Sequence, residues 1–213
     1  MSEQQRFEVI LADPPWGYRD RCNAGNRGAV HKYDVMDLEA LKALAVAALA
    51  AEDCALFMWA TAPMLPEALE VLEAWGFRYR TIAFTWIKRT KTGKLAWGMG
   101  HYTRANPEFV LLGTRGKPKR VDAGVLSVIE AQRLAHSVKP TEVHDAIVRL
   151  MGDCSRCELF ARRSAPGWAV WGNEVECDFE LPVRPEGAGA EWPGPAPDPR
   201  QIVIPGCLGE EEA

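Results

Sequence analysis

The sequence predicts a single α/β domain, a sheet with helices on both of its faces, from three observations. First, residues 7–12 (FEVILA) and 54–60 (CALFMWA) are nearly unbroken apolar runs, the composition of strands covered on both faces. Second, helical apolar stripes separate the strands. Third, the first strand ends abruptly in Asp13-Pro14-Pro15-Trp16 and opens into a long polar loop. Open α/β sheets bind ligands at the carboxyl ends of their strands. The 213 residues, 47% of them hydrophobic, suffice for one domain with a full core.

Taken in order, residues 7–12 form the first strand. Pro14 and Pro15 have no N–H for the ladder, so the strand stops at Asp13. The prolines also stiffen the backbone and leave carbonyls with no neighbouring N–H to pair with. Residues 17–33 are a loop rich in Gly and Asn that follows directly. Loops of this length inside a domain are functional or mobile, and Arg19, Arg21, Arg27, His31 and Lys32 are candidates for phosphate contact. Asp37 is a good N-cap, and Leu38, Leu41, Leu44 and Leu49 give a helical stripe, so a helix is expected over 37–51. Residues 54–60 form the next buried strand. A helix over 67–75 ends at Gly76.

Residues 79–88 alternate, with Ile82, Phe84 and Trp86 on one side, and read as a strand. Trp59 and Trp86 are assigned to the core. A basic loop follows at 88–94, then an irregular segment at 95–106 carrying Trp97, His101, Tyr102, Arg104 and Asn106. This reads as a second active-site segment. Residues 108–113 form a strand, and 115–120 a second basic turn. Thr141 opens a helix that runs to Met151. Residues 157–161 (CELFA) and 168–171 are the last two strands, with Asn173 and Glu174 at the end of the second.

The strand-tip grouping suits one kind of chemistry. An exocyclic amine of adenine is a poor nucleophile because its lone pair is delocalised into the ring. Two acceptors on its two N–H groups pull the nitrogen toward a tetrahedral geometry. Asp13 offers one and the Pro14 carbonyl the other, Pro15 shapes the loop, and Trp16 offers a stacking face for an unpaired base. A simple capped turn after a core strand is the plainer reading of Asp-Pro.

ILADPPW, then SVKP, ELFAR and WGNE in that order, resemble the N6-adenosine methyltransferase family, which includes the eukaryotic messenger-RNA adenosine methylase and bacterial and phage members. The resemblance covers roughly residues 7–174. It implies a Rossmann-like, S-adenosylmethionine-dependent methyltransferase sheet of permuted order, with the catalytic strand before the cofactor strand. It implies that Asp13, Lys139, Arg162, Asn173 and Glu174 bind the cofactor, Lys139 beside its carboxylate and Arg162 near its ribose. Ser164 and Ala165 stand where the family has polar residues. A carboxylate at a strand end, here Glu174, suits ribose hydroxyls. No GxGxxG loop is present, so a phosphate-cradling mode is not supported.

Charge distribution bears on the partner. The chain carries a net charge of −4, yet residues 78–120 hold eleven Lys/Arg and one acid, Glu108. Lys88, Arg89, Lys91 and Lys94 in one loop, and Lys117, Lys119 and Arg120 in the other, flank one strand pair and are the expected phosphate contacts. DNA is the expected substrate. RNA is the alternative, followed by a non-catalytic nucleic-acid-binding partner and a small-molecule amino-methyltransferase. Residues 1–178 are expected to form the methyltransferase domain. The Pro/Gly-rich acidic stretch 179–213 is expected to be a tail without a core, with residues 202–204 as one apolar island.

No apolar run approaches the roughly 18 residues of a membrane span, and MSEQQRFEV is not a signal region. A cytoplasmic protein with no membrane partner is expected. Cys154 and Cys157 form a lone CxxC without a second pair at zinc spacing, so no metal is expected. Monomer and homodimer both stay open.

Overall fold

The computed structural model describes residues 5–17, 36–98, 100, 102–134 and 138–182. In chain order its elements are β1 (Phe7–Ala12), α1 (Leu38–Ala43), α2 (Val46–Leu49), β2 (Ala50–Ala60), α3 (Leu65–Ala74), β3 (Arg78–Arg89), β4 (Glu108–Arg115), β5 (Val128–Gln132), α4 (Glu142–Met151), β6 (Arg156–Leu159) and β7 (Ala169–Trp171). The strands make one seven-stranded sheet in the order β5-β3-β4-β2-β1-β6-β7. β1 lies between β2 and β6 and is parallel to both, with Ile10 opposite Leu56 and Cys157. β4 alone runs antiparallel, against β2 on one side and β3 on the other. The fold is therefore a mostly parallel, Rossmann-like sheet.

Side-chain alternation explains why its central strands read as continuous apolar runs. Ile10, Leu56 and Met58 point to the face covered by Leu41 of α1, Leu49 of α2 and Val71 and Leu72 of α3. Val9, Leu11, Phe57 and Trp59 point to the opposite face, covered by Val143 and Ile147 of α4. Both faces are buried over residues 9–12 of β1 and the end of β2, so those positions are apolar throughout, and in β1 only Glu8 at its exposed start is charged.

Asp37 caps α1 as expected, its carboxylate accepting the Ala40 N–H at 2.7 Å. The expected long helix does not continue. Leu44 turns extended (ψ 135°) and α2 ends at Leu49, because Ala50 already pairs with Phe7 in the sheet. β2 thus begins four residues earlier than its apolar run. Gly76, at φ +82°, ends α3 in a left-handed conformation that other residues adopt at a cost. β5 is a strand that the sequence pattern leaves unassigned.

The body also extends past residue 178. Asp178 exchanges two hydrogen bonds with Val170, at 2.9 and 2.8 Å. The ring of Phe179 sits 5.1 Å from that of Phe7, and Leu181 joins the same cluster. Phe179 and Leu181 thus pack, half-buried, against the core. Residues 202–204, the arginines and lysine of the loop after Gly17, His101 and His136 lie outside the described residues.

Candidate active site

Six parallel strands bring their carboxyl ends to one edge of the sheet, and antiparallel β4 brings its first residue there. Asp13, one residue past β1, and Glu108, the first of β4, thereby reach the same edge. The parity that puts Trp59, Trp86 and Val110 on the α4 face puts Asp13, Lys88 and Glu108 there too.

Lys139, just before α4, joins them. Its ammonium donates to both oxygens of Asp13, at 2.8 and 2.7 Å, and lies 3.6 Å from Glu108. Glu108 in turn accepts from Lys88 at 2.6 Å. The four side chains are no more than 20% exposed and alternate in sign. Beneath them Trp59 and Trp86 meet edge to face, with centroids 6.1 Å apart. Lys139 lies over Trp59 at 5.4 Å and Lys88 over Trp86 at 5.1 Å, so each cation is also held by a ring face. A guanidinium of Arg163 donates to the Lys139 carbonyl at 3.1 Å, fixing the backbone that delivers the lysine.

Burial pushes the Asp13 carboxyl above the usual aspartate value, against the pull of Lys139. Burial also opposes the Lys139 ammonium, but the Asp13 and Glu108 carboxylates outweigh it and hold its pKa above the ordinary lysine value. For Glu108 burial is again the largest influence, yet Lys139 and Lys88 together outweigh it and keep the carboxyl low. The contrast between the carboxylates follows from their partners. Glu108 is shared by two ammonium groups, and Asp13 is paired with one.

The DPPW tip differs in detail from its sequence reading. Neither proline carbonyl is unpartnered: Pro14 accepts the Trp16 N–H at 2.9 Å and Pro15 the Met36 N–H at 3.2 Å. Each carbonyl keeps a second lone pair. Trp16 is 7% exposed, and its indole N–H donates to the Trp59 carbonyl at 3.0 Å. It is a pinned wall of the site rather than an open stacking face. The loop after Gly17 returns at Met36, which bridges to Trp16, so both its ends meet the DPPW tip.

Lys139, expected beside a cofactor carboxylate, pairs with Asp13 and lies near Glu108, two buried carboxylates that its ammonium compensates. Glu108 is the member of the cluster that sequence reasoning missed. It was visible as the lone acid among eleven bases, but only the reversed direction of β4 carries it to the site.

A second group lies at the ends of β6 and β7. Phe160 turns the chain after β6 in a left-handed conformation (φ 63°), its ring between Trp75 and Trp171. The Ala161 N–H then donates to the Trp171 carbonyl at 3.0 Å. Gly172 approaches so closely that a Cβ there would lie 2.1 Å from the Ala161 oxygen. This closure brings Arg162 within 3.5 Å of Glu174, with Asn173 alongside in sequence, and Arg162 is near enough to Asp13 and Lys139 to influence both.

The basic loops do not sit together. Loop 89–94 follows β3 at the Asp13 edge, where Arg89 pairs with Glu130 at 2.9 Å and Lys91 and Lys94 are exposed. Lys88 is committed to Glu108 and is not a surface cation. Lys117, Lys119 and Arg120 follow the far end of β4, at the opposite edge of the sheet. The Lys117 N–H donates there to Asp53. The two loops expected to contact phosphate together therefore lie at opposite edges of the sheet, because β4 runs antiparallel.

Among the described residues no cluster of His, Cys, Asp and Glu has the arrangement of a metal site. Cys157 is in the core, where burial raises its thiol well above the ordinary value. No helix of the described residues is long and apolar enough to cross a membrane.

The sheet is that of a Rossmann-like methyltransferase, with an acidic group at the tip of β1, between β2 and β6. The chain belongs to the MT-A70 family, the N6-adenine methyltransferases, whose model matches residues 7–174. It is 34% identical over 202 residues to the type II methyltransferase M.MunI of a Mycoplasma species, covering 86% of this chain and 84% of that one. It is 29% identical to the N(6)-adenosine-methyltransferase MT-A70-like protein of Drosophila melanogaster and 27% identical to the human N(6)-adenosine-methyltransferase catalytic subunit METTL3. Each of those alignments covers 80% of this chain but only 27% and 28% of the longer relative.

Proposed function

We propose that the protein methylates the N6 amine of adenine in DNA, with S-adenosylmethionine as donor. The observation that carries this reading is the Asp13–Lys139 pair on the DPPW tip, a buried carboxylate held in place with lone pairs to spare. A carboxylate has about four acceptor sites, so Asp13 can take a substrate N–H while keeping Lys139. The Pro14 carbonyl takes the other N–H through its second lone pair. Lys139, held from behind by Glu108, orients Asp13 and compensates its charge. The methylated nitrogen carries one proton too many, and Asp13, its proton affinity raised by burial, is placed to accept it. The rest of the catalysis is positioning.

The donor set at β6 and β7 suits S-adenosylmethionine, which supplies a methyl group on a positively charged sulfur. Glu174 offers a carboxylate to ribose hydroxyls, Arg162 a cation to a carboxylate, and Asn173 an amide. The close approach at Gly172 brings Arg162 and Glu174 together at the carboxyl ends of β6 and β7. No phosphate cradle is required.

DNA is preferred because the similarity to the type II methyltransferase spans nearly the whole of both chains. RNA is the second reading, favoured by the relatives named for adenosine methylation. Incubation with methyl-labelled cofactor and either DNA or RNA, followed by nucleoside mass spectrometry, decides between them. Label in N6-methyldeoxyadenosine supports the proposal; label only in N6-methyladenosine supports RNA; label in neither overturns both.

A further inference from the structure

Segment 95–106 presents an arrangement that the catalytic geometry does not use. Trp97 is 61% exposed, and the Arg104 guanidinium lies 5.5 Å over its ring. Tyr102 is fully exposed and Leu95 largely so. An exposed tryptophan on a loop needs a reason, and the chain on either side of it is tied by backbone pairing. Gly98 and Ala105 form an antiparallel bridge, with the Gly98 N–H donating to the Ala105 carbonyl at 2.7 Å.

Asn106 staples the base of the segment. Its amide accepts the Lys88 N–H at 3.1 Å and donates to the carbonyls of Lys88 and Ala96. Lys88 and Glu108, two residues from Asn106, belong to the charged cluster around Asp13. The base of the segment is therefore tied to β3 beside the active site. Exposed Lys91 and Lys94 lie on the adjoining turn.

We propose that Trp97 and Arg104 form a stacking station for an unpaired base next to the target adenine. A planar aromatic face with an arginine over it suits a nucleobase and its phosphate, and stacking is tolerant of base identity. Trp16 is buried, so among the described residues Trp97 is the exposed indole on this edge. It follows that the substrate segment is single-stranded or locally opened where it meets the protein. This rests on the nucleic-acid reading above and adds the state of the strand to it.

The test compares the parent protein, Trp97→Ala and Trp97→Phe. Fluorescence anisotropy measures binding to three labelled oligonucleotides: single-stranded, fully paired, and paired with a mismatched bubble around the adenine. Loss of one stacked base predicts about five- to 150-fold weaker binding of the single strand and the bubble by Trp97→Ala. Trp97→Phe recovers most of it, and cofactor affinity stays unchanged. The melting temperature also stays unchanged, since the side chain is exposed. Equal affinity of parent and Trp97→Ala for the single strand and bubble overturns the proposal. So does a change in oligomeric state on sedimentation without a change in affinity, which assigns the face to a protein contact. A parent that binds none of the three and methylates none would instead refute the proposed function.

Discussion

Replacing Lys139 by Met removes the one cation that Asp13 holds through both oxygens while keeping the length of the side chain. Two carboxylates, Asp13 and Glu108, are then left facing each other on the sheet edge, with Lys88 still paired to Glu108. Breaking a buried ion pair from one side costs about 3–5 kcal/mol. The lower value applies here because Lys139 and Asp13 keep 18% exposure. About 3 kcal/mol corresponds to a fall of roughly 6–12 °C in melting temperature for a body of this size. The chemical consequence is directional. Without the ammonium, burial and Glu108 both act to raise Asp13, so the pH at which activity is lost on the acid side moves upward. The assay is single-turnover methyl transfer from pH 5 to 9 with a thermal melt at each pH. Lys139→Met/Glu108→Gln should recover part of the stability and move the acid limb back. An acid limb that stays in place in Lys139→Met would refute Asp13 as the group that takes the proton.

Three further outcomes follow from other parts of the structure. Gly172→Ala places a methyl group 2.1 Å from the Ala161 oxygen, so it should destabilise by about 1–3 kcal/mol and weaken cofactor binding, read by thermal melts and calorimetry. Glu108 is held below its ordinary value by Lys139 and Lys88 against burial, so it contributes stability above the unfolded carboxylate pKa of about 4.3 that is lost as the pH falls through the folded value. Glu108→Gln should flatten the acid side of the stability curve in urea melts; an unaltered curve would refute that pairing. Lys91→Ala/Lys94→Ala should lower the slope of log affinity against log salt by about 1.4–1.8 in all. Replacing Lys117, Lys119 and Arg120 together should leave the slope alone, because they lie at the far edge of the sheet.

What could be read from the sequence divides along physical lines. β1 with its tip and β2 are legible because burial on both faces leaves an apolar run, β3 because its side chains alternate, and α4 because of its helical stripe. The stretch 45–51 reads as the end of a helix because Leu49 continues the stripe of Leu38, Leu41 and Leu44. Pairing of Ala50 with Phe7 overrides that pattern. β5 is an edge strand of five residues whose exposed side carries Val128, Glu130 and Gln132, so its alternation is too short to stand out. Strand direction leaves no mark in composition. Two consequences of β4 running backwards were therefore hidden, the arrival of Glu108 at the active site and the departure of Lys117, Lys119 and Arg120 from it. The partner of Lys139 was hidden for a similar reason, since 126 positions separate it from Asp13.

The central claim is that Asp13 activates the adenine amine, and Asp13→Asn tests it most directly. The side chain keeps its shape and one acceptor oxygen but loses its charge and its ability to take a proton. Single-turnover transfer to adenine should fall by about 10²–10⁴-fold, while calorimetry at saturating cofactor shows it still bound and the thermal melt shows a folded protein, its transition lowered by loss of the Lys139 pair. Near-parental turnover by a folded, cofactor-bound Asp13→Asn would contradict the account.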